Sequence, residues 1–542
     1  MQYNGMKATF KSAEQGLIAT TNYDNVPHNA LIEAKNIRFD EKAWRKVGGL
    51  SLVDANAIAN ANALCVGGHD WWSSKTVQTQ VTAWDDGIIY KEVSSNMDSV
   101  ELVNSLSLST APTVFVDGGR ELVGNNRKLL IFNEGAVPQV LNANAASTAN
   151  VANLSVDWAN ASTYPAGAII HDSRVVSWRG DNLYFSALDD HENFKSYNPS
   201  DATADPLPSF SIAAGQADEI RAAHSMGTTR LYVFKYPYGI YFLDTSAVTS
   251  YLVPITTVRD DMGIAGPEAI TRVGSLGTWF IGSDAHIYSL DLIQNPDTDL
   301  QDASITSRLY YDQYILDNIN LNRLKWAKLV WNSKRKELLA IYTKAGTTSN
   351  NLILCIDLRD PNNPKISTDE RGTYFNSVWP TRNITTQEQG LYCSGTGGLV
   401  YKMDQDARVI GSATAYQGKL RTPDTDFEWL SPELIDMQKR FDWFEIYYTT
   451  TSNYTLYIDV FINGQLYQTY NFTQAASGSF LNTGTLGSFV LGGIELKRKK
   501  FKIGGIGTKF SFQLRNSAVN DDFYVNKAVV HFQPLGTKGE RS

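Results

Sequence analysis

The chain has 542 residues, of which 43% are hydrophobic, 11% aromatic and only 19% charged. That is apolar material for about three to four domain equivalents, and too much for a chain disordered throughout. With 48 Lys and Arg against 56 Asp and Glu the formal net charge is −8, so the bulk charge opposes broad nucleic-acid binding, which draws its affinity from a basic excess on phosphates.

Residues 1–50 read as an irregular N-terminal arm or the opening strand of the ring of strands that follows, with a short helical turn expected near Val26 to Lys35, after Pro27. From 51 to 410 nearly every apolar run is short, rich in Val, Ile, Tyr, Phe and Trp, and bounded by Gly, Asn or Asp, the pattern of strands. These runs come in pairs across a polar or glycine turn: residues 63–67 with 81–90, 128–132 with 137–141, 174–178 with 182–186, 230–234 with 239–244, 277–282 with 286–291, 337–342 with 351–357, and 390–394 with 398–404. Their onsets recur about every 54 residues, near the period of propeller blades. An isolated hairpin cannot bury both faces, whereas radially packed blades bury each other's. The expectation is an all-β chain: a β-propeller of six to eight blades over 51–410, with a possible helical insertion near 304–328.

The composition turns small and polar between Ala407 and Arg421, and Thr422-Pro423-Asp424-Thr425-Asp426 reads as a connection. A C-terminal β-sandwich or jelly-roll-like module follows over 425–535, with strands expected at 441–449, 454–462, 466–472, 497–503, 509–515 and 523–532. Asn463-Gly464 is a strong hairpin signal, the loop 476–488 and Gly504-Gly505-Ile506-Gly507 read as turns, a further helical turn is expected near Pro432 to Lys439, and 536–542 is a tail.

Cys65, Cys355 and Cys393 match no zinc or redox spacing, which argues against a disulfide framework. No signal-like leader follows Met1, and no run approaches the roughly 18 apolar residues of a membrane-spanning helix. The expectation is a soluble protein of a reducing compartment. Phosphate loops, His-Glu-x-x-His and Gly-x-Ser-x-Gly are absent from the sequence. Local ligand density occurs at Cys65 with His69 and at Asp189-Asp190-His191-Glu192, read as a turn and a solvated loop. Asp260-Asp261 cannot form a glycosidase pair on an extended segment, because adjacent side chains point opposite ways. The run Lys497, Arg498, Lys499 and Lys500, with Lys502 and Lys509 nearby, is the one positive concentration in an acidic chain. On a strand it splits into two rows, suited to a partner subunit or to phosphate. Trp71, Trp72 and Trp443 are candidate stacking platforms or core aromatics.

Residues 255–291, ITTVRDDMGIAGPEAITRVGSLGTWFIGSDAHIYSLD, resemble a segment shared by tail hub and nozzle proteins of short-tailed bacteriophages. Three other stretches are similar: 16–50, with Asn36-Ile37-Arg38-Phe39-Asp40 inside it; 179–186, RGDNLYFS; and 496–536. The chain departs from that pattern at Gly266-Pro267, where the family often has Ala-Pro, and at Asp284-Ala285, where it often has Asp-Gly. The resemblance implies a structural virion protein, assembled in the host cytoplasm, without enzymatic activity or cofactor. Its copies would form a ring, a hexamer, below the portal and adaptor proteins and next to tail fibre or spike proteins, with double-stranded DNA passing through without tight binding. The alternatives from other classes are a receptor- or glycan-binding propeller and a virion glycosidase.

Overall fold

A computed structural model describes residues 5–11, 16–18, 26–40, 43–53, 62–92, 100–105, 108, 110–120, 126–143, 145–160, 162–195, 209–215, 218–247, 254–295, 297–372, 375–383, 385–395, 397–405, 408–411, 414–449, 454–474, 496–519 and 521–536. The expected loop 476–488 and most of the tail 536–542 lie outside them.

Strands dominate, and they fall into small antiparallel sheets taken in chain order. Sheet I is Cys65–Trp72, Gln78–Trp84, Ile88–Glu92 and Val100–Ser105; sheet II is Val114–Arg120, Arg127–Asn133, Ala136–Leu141 and Ala149–Asn150. Sheet III is Gly167–His171, Arg174–Arg179, Asn182–Phe185 and Phe210–Ser211; sheet IV is Glu219–Met226, Arg230–Tyr236, Ile240–Asp244 and Ile255–Arg259. Sheet V has three strands, Ile270–Arg272, Thr278–Ile281 and Ile287–Ser289. Sheet VI begins with Lys328–Asn332, Glu337–Thr343, Asn350–Asp357 and Lys365–Asp369. Sheet VII is Ser377–Arg382, Gln389–Ser394 and Val400–Gln405, completed by Gly49–Leu52 from the other end of the chain.

Each central strand is apolar on both sides because each side meets a different neighbour, as expected for strands buried on two faces. Leu129 and Ile131 join Val66, Val81 and Ile89 of sheet I, while Leu130 and Phe132 join Val175 and Tyr184 of sheet III. Val176 and Leu183 of sheet III meet Leu231 and Leu243 of sheet IV. Leu339 and Ile341 of sheet VI pack on Leu391, Cys393 and Leu50 of sheet VII. The series returns to its start where Trp379 and Val400 of sheet VII pack with Cys65 and Trp84 of sheet I. Burying each such side chain contributes about 1.5–3 kcal/mol.

Segment 304–328 contains the short helices Ile305–Arg308 and Asp312–Asn318 and the 3-10 stretch Leu321–Trp326. The expected helical turn near Pro432 is a single 3-10 turn, Pro432–Leu434. Residues 26–35 form turns and the strand Glu33–Lys35 in place of a helix; Ala34 pairs with Leu420 and is buried, so tertiary pairing overrides the local helical signal.

The remaining strands build two larger layers. Sheet VI continues from Lys365–Asp369 through Glu33–Lys35, Gly418–Arg421, Phe510–Asn516, Tyr454–Ile462 and Gln465–Gln474. Facing it is a six-stranded sheet of Ile37–Asp40, Ala43–Lys46, Tyr524–Gly536, Gln438–Thr449 and Leu496–Gly507, with Met6–Lys11 alongside Tyr524–Gly536. Aromatic rings fill the space between them: Phe10 and Phe444 lie 5.3 Å and 5.0 Å from Phe512, and Phe441 lies 5.2 Å from Phe510. Gly504-Gly505-Ile506-Gly507, expected as a turn, belongs to the strand Leu496–Gly507. A Cβ at Gly505 would sit 2.3 Å from Ile462 Cδ1, so these glycines permit close approach of the two layers.

Candidate functional site

The first strands of sheets I to VII all contribute to one cavity of about 660 Å³. Several of its polar and charged groups are engaged by neighbours. Asp70 accepts from Gln78 Nε2 at 2.7 Å, Trp72 Nε1 at 3.2 Å and the Arg382 amide at 3.0 Å. Lys328 Nζ lies 2.5 Å from Glu268 and donates to Ser377 Oγ at 3.0 Å. His69 Nε2 lies 3.0 Å from Asp117 Oδ1, and His224 contacts Thr278 Oγ1 at 3.1 Å. Burial, assisted by Arg272, pushes the His224 pKa down to about 4, so this imidazole is neutral at physiological pH. The lining can hold water or small polar molecules, and the amine beside the Ser377 hydroxyl, that of Lys328, is paired with Glu268.

The other sequence candidates are drawn into local structure. His191 Nε2 meets the Ser173 carbonyl at 3.0 Å, and Glu192 pairs with Lys128. Asp261 is held by Arg259 at 2.7 Å, and that ion pair keeps its carboxyl below the usual range. Cys65 and His69 are in one strand, but the thiol contacts the Gly67 carbonyl and the imidazole contacts Asp117. Among the described residues no group of three His, Cys, Asp or Glu is placed to hold a metal. Ser307 Oγ lies 3.2 Å from His286 Nδ1 and 2.9 Å from Asp312 Oδ1, and His286 Nε2 lies 3.4 Å from the same carboxylate oxygen. Trp71 is buried in the core, whereas Trp443 is 37% exposed.

The basic run produces the most distinctive surface. It opens the strand Leu496–Gly507, which lies at the edge of the six-stranded sheet, and alternation divides it. Lys497 and Lys499 lie opposite Tyr448 and Ile446, on the side from which Phe501 and Ile503 enter the core. Arg498, Lys500 and Lys502 lie opposite Tyr447, Glu445 and Trp443 on the outer side. The register carries this outer row across three further strands: Tyr447 pairs with Lys527 and Trp443 with His531, while Lys527 pairs with Lys11 and His531 with Lys7. With strands about 4.8 Å apart and same-face residues about 6.8 Å apart, these cations fall within one Debye length of their neighbours.

The face is organised by a few contacts. Glu445, 3% exposed in its side chain, sits beneath it, with Arg498 Nη2 at 2.9 Å, His531 Nε2 at 3.2 Å and Lys500 Nζ at 3.9 Å. The Lys500 and Lys527 ammonium groups each lie 4.3 Å from a ring centroid, those of Trp443 and Tyr447. Cation–π attraction holds the amines over the rings. Arg440 donates to Asp442 at 3.0 Å and to Gln533 at 2.6 Å. Sequence reasoning found Arg498 and Lys500 but missed Lys7, Lys11, Arg440 and Lys527, which are distant in sequence; only the i, i+2 spacing of Lys7, Thr9 and Lys11 around buried Ala8 and Phe10 hinted that they share a face. No family model matches this chain, and no curated protein matches it at a significant level.

Proposed function

We propose that this chain is a structural subunit of a short phage tail: a seven-bladed β-propeller with a β-sandwich module, whose copies join laterally into a nozzle or hub ring below the portal and adaptor. The observation that carries the propeller reading is the series of sheet contacts from sheet I to VII and back, which passes through sheet V by Phe234 of sheet IV, 5.4 Å from Phe280, and by Tyr342 of sheet VI, which donates to the Ala285 carbonyl at 2.8 Å, with Gly49–Leu52 supplying the last strand of sheet VII. A strand from one terminus completing the sheet formed near the other is how such an architecture protects its edges.

The tail reading rests on the resemblance, and the placement of the resembling residues supports a structural role. Residues 255–291 run from the outer strand of sheet IV through all of sheet V. On the way Gly263 and Gly266 approach the backbone so closely that a Cβ would lie 2.1 Å from the Lys235 carbonyl oxygen and 2.4 Å from that of Lys325. The segment is thus a packing joint between sheets IV and V and the 3-10 stretch that leads into sheet VI. A cavity of about 660 Å³ within one chain is far too small for a duplex, so the genome would pass between copies. A passage poor in phosphate contacts favours rapid release, because each contact adds affinity through counterion release.

The test is electron microscopy of the purified full chain. Closed rings with a central opening, six-fold in projection, are the expected result; monomers that hydrolyse a capsular polysaccharide, or that bind a glycan array, would replace this reading with one of the alternatives. The exposed Trp443 ring and the half-buried Tyr447 ring are already capped by lysines, which leaves less free face for stacking on sugars.

A further inference from the structure

We infer that the basic outer face of the six-stranded sheet docks on the acidic helical segment, residues 290–318, of a second copy of this chain. The face combines Lys7, Lys11, Lys502 and Lys527 with Arg498, and its central carboxylate, Glu445, is buried beneath them and already engaged. It is a concentrated positive surface on a protein whose total is −8, so the balance of the chain is more acidic than the total.

Residues 290–318 form one such acidic stretch, with every aspartate on the surface. There Asp291, Asp297, Asp299, Asp302, Asp312 and Asp317 are all exposed, and Arg308 is the single basic residue of the segment. Between the aspartates the segment exposes apolar groups: Tyr310 at 66%, Leu316 at 62% and Leu292 at 42%. Trp443 stands among the cations of the sheet face. Exposed aromatic and apolar groups surrounded by charge have the anatomy of a protein interface, with a desolvated centre and a polar rim. Among the described residues no hydrogen bond or ion pair joins the two surfaces within one chain, which leaves each available to another copy.

The two surfaces differ, so their contact is heterologous, and a heterologous contact propagates from copy to copy until the rotation closes a ring. The inference deepens the ring reading and rests on it for closure, though not for the contact itself. Complementary charge also predicts salt sensitivity, because exposed pairs are screened at about 10 Å in 0.1 M salt.

The experiment is light scattering on the full chain at 0.05 and 0.5 M NaCl, with three variants. One carries Lys7→Glu, Lys11→Glu and Lys502→Glu, one carries Asp297→Lys, Asp302→Lys and Asp317→Lys, and one carries all six. These positions avoid Arg498 and Glu445, and calorimetry confirms folding by a melting temperature within about 2 °C of the parent. The expected result is assembly of the parent at low salt, at least tenfold weaker association in each triple variant, and recovery in the combined variant, whose charges are exchanged. If the parent forms rings that neither triple variant weakens, the docking inference falls and the ring reading stands. Open chains or dimers that depend on both charge sets, without rings, keep the docking and overturn the ring. A parent that stays monomeric at all concentrations overturns both.

Discussion

Asp369→Asn tests whether the two parts of the chain are held together by a buried ionic junction. Asp369 is completely buried at the end of the fourth strand of sheet VI, and its two oxygens accept from Arg371 Nε at 2.8 Å and Nη2 at 2.5 Å. Arg38, from the six-stranded sheet, reaches the same carboxylate at 3.5 Å and Glu337 at 3.3 Å, and Arg371 also donates to the Gly48 carbonyl beside the closing strand of sheet VII. Residues of two sheets, and the Gly48 carbonyl beside a third, therefore converge on the Asp369–Arg371 pair. Burial works against both guanidinium charges, but the surrounding negative groups outweigh it and raise both above the ordinary arginine value. Neither arginine can relieve the loss of Asp369 by giving up its proton. Asparagine keeps the shape and removes the charge, leaving buried cations short of a partner, which costs about 3–5 kcal/mol. For a chain of this length melting as one unit, an unfolding entropy near 2.1 cal/mol/K per residue converts that into a fall of about 3–4 °C. Scanning calorimetry of the full chain measures it, with Asp360→Asn in an exposed turn as control. A shift within about 1 °C of the control would refute the junction.

Three further outcomes follow from particular residues. A Cβ at Gly68 would lie 2.3 Å from the Trp379 ring, at the meeting of sheets I and VII; Gly68→Val should cost about 2–3 kcal/mol or more in urea unfolding, while Gly390→Ala, whose nearest neighbour is 3.6 Å away, should leave the midpoint unchanged. All three cysteines are buried, and burial pushes the Cys65 thiol up to about 11 and raises Cys355 and Cys393 as well. A thiol reagent at pH 8 should label none in the native chain and all three after denaturation; rapid native labelling of any one would contradict the packing between sheets VI, VII and I. Burial lowers Lys46 to about 8, against the pull of Asp521 and Asp522. The unfolded lysine holds its proton to about 10.4, so between these values the unfolded state binds more protons and the Lys46 contribution to stability rises with pH, by up to about 3 kcal/mol. Urea midpoints at pH 7 and 9.5 should rise more in the parent than in Lys46→Met, and the opposite order would refute the assignment.

What the sequence made legible follows from how many faces each strand buries. The paired runs at 128–132 with 137–141 and 230–234 with 239–244 are the second and third strands of sheets II and IV. Both of their faces are apolar, so they stand out as continuous hydrophobic stretches. In the C-terminal block, Tyr454–Ile462 has the expected bounds, because Asn463-Gly464 fixes its end. The first strands were harder to see. Val114–Arg120 contains Asp117 and two glycines, and Glu219–Met226 contains Arg221 and His224, because these strands turn part of their surface toward the shared cavity and need not be uniformly apolar. Fourth strands such as Ala149–Asn150 and Phe210–Ser211 are only two residues long and leave no period to detect.

Pairing between distant segments was the deeper obstacle. Residues 1–50 gave no local sign that Met6–Lys11 would lie beside Tyr524–Gly536, or that Gly49–Leu52 would finish a sheet begun at Ser377. The functional candidate inherits the same difficulty. Arg498 and Lys500 are conspicuous as neighbours in sequence, yet the surface they belong to exists only because Tyr447 aligns with both Arg498 and Lys527, and Lys527 with Lys11. A one-residue slip in any of these pairings would turn the cations of that strand toward Phe10, Phe444 and Phe532 in the core. Burying several unpaired charges there would cost far more than the slip could recover. The aromatic core therefore selects the register, and the register in turn gathers scattered lysines into one basic face.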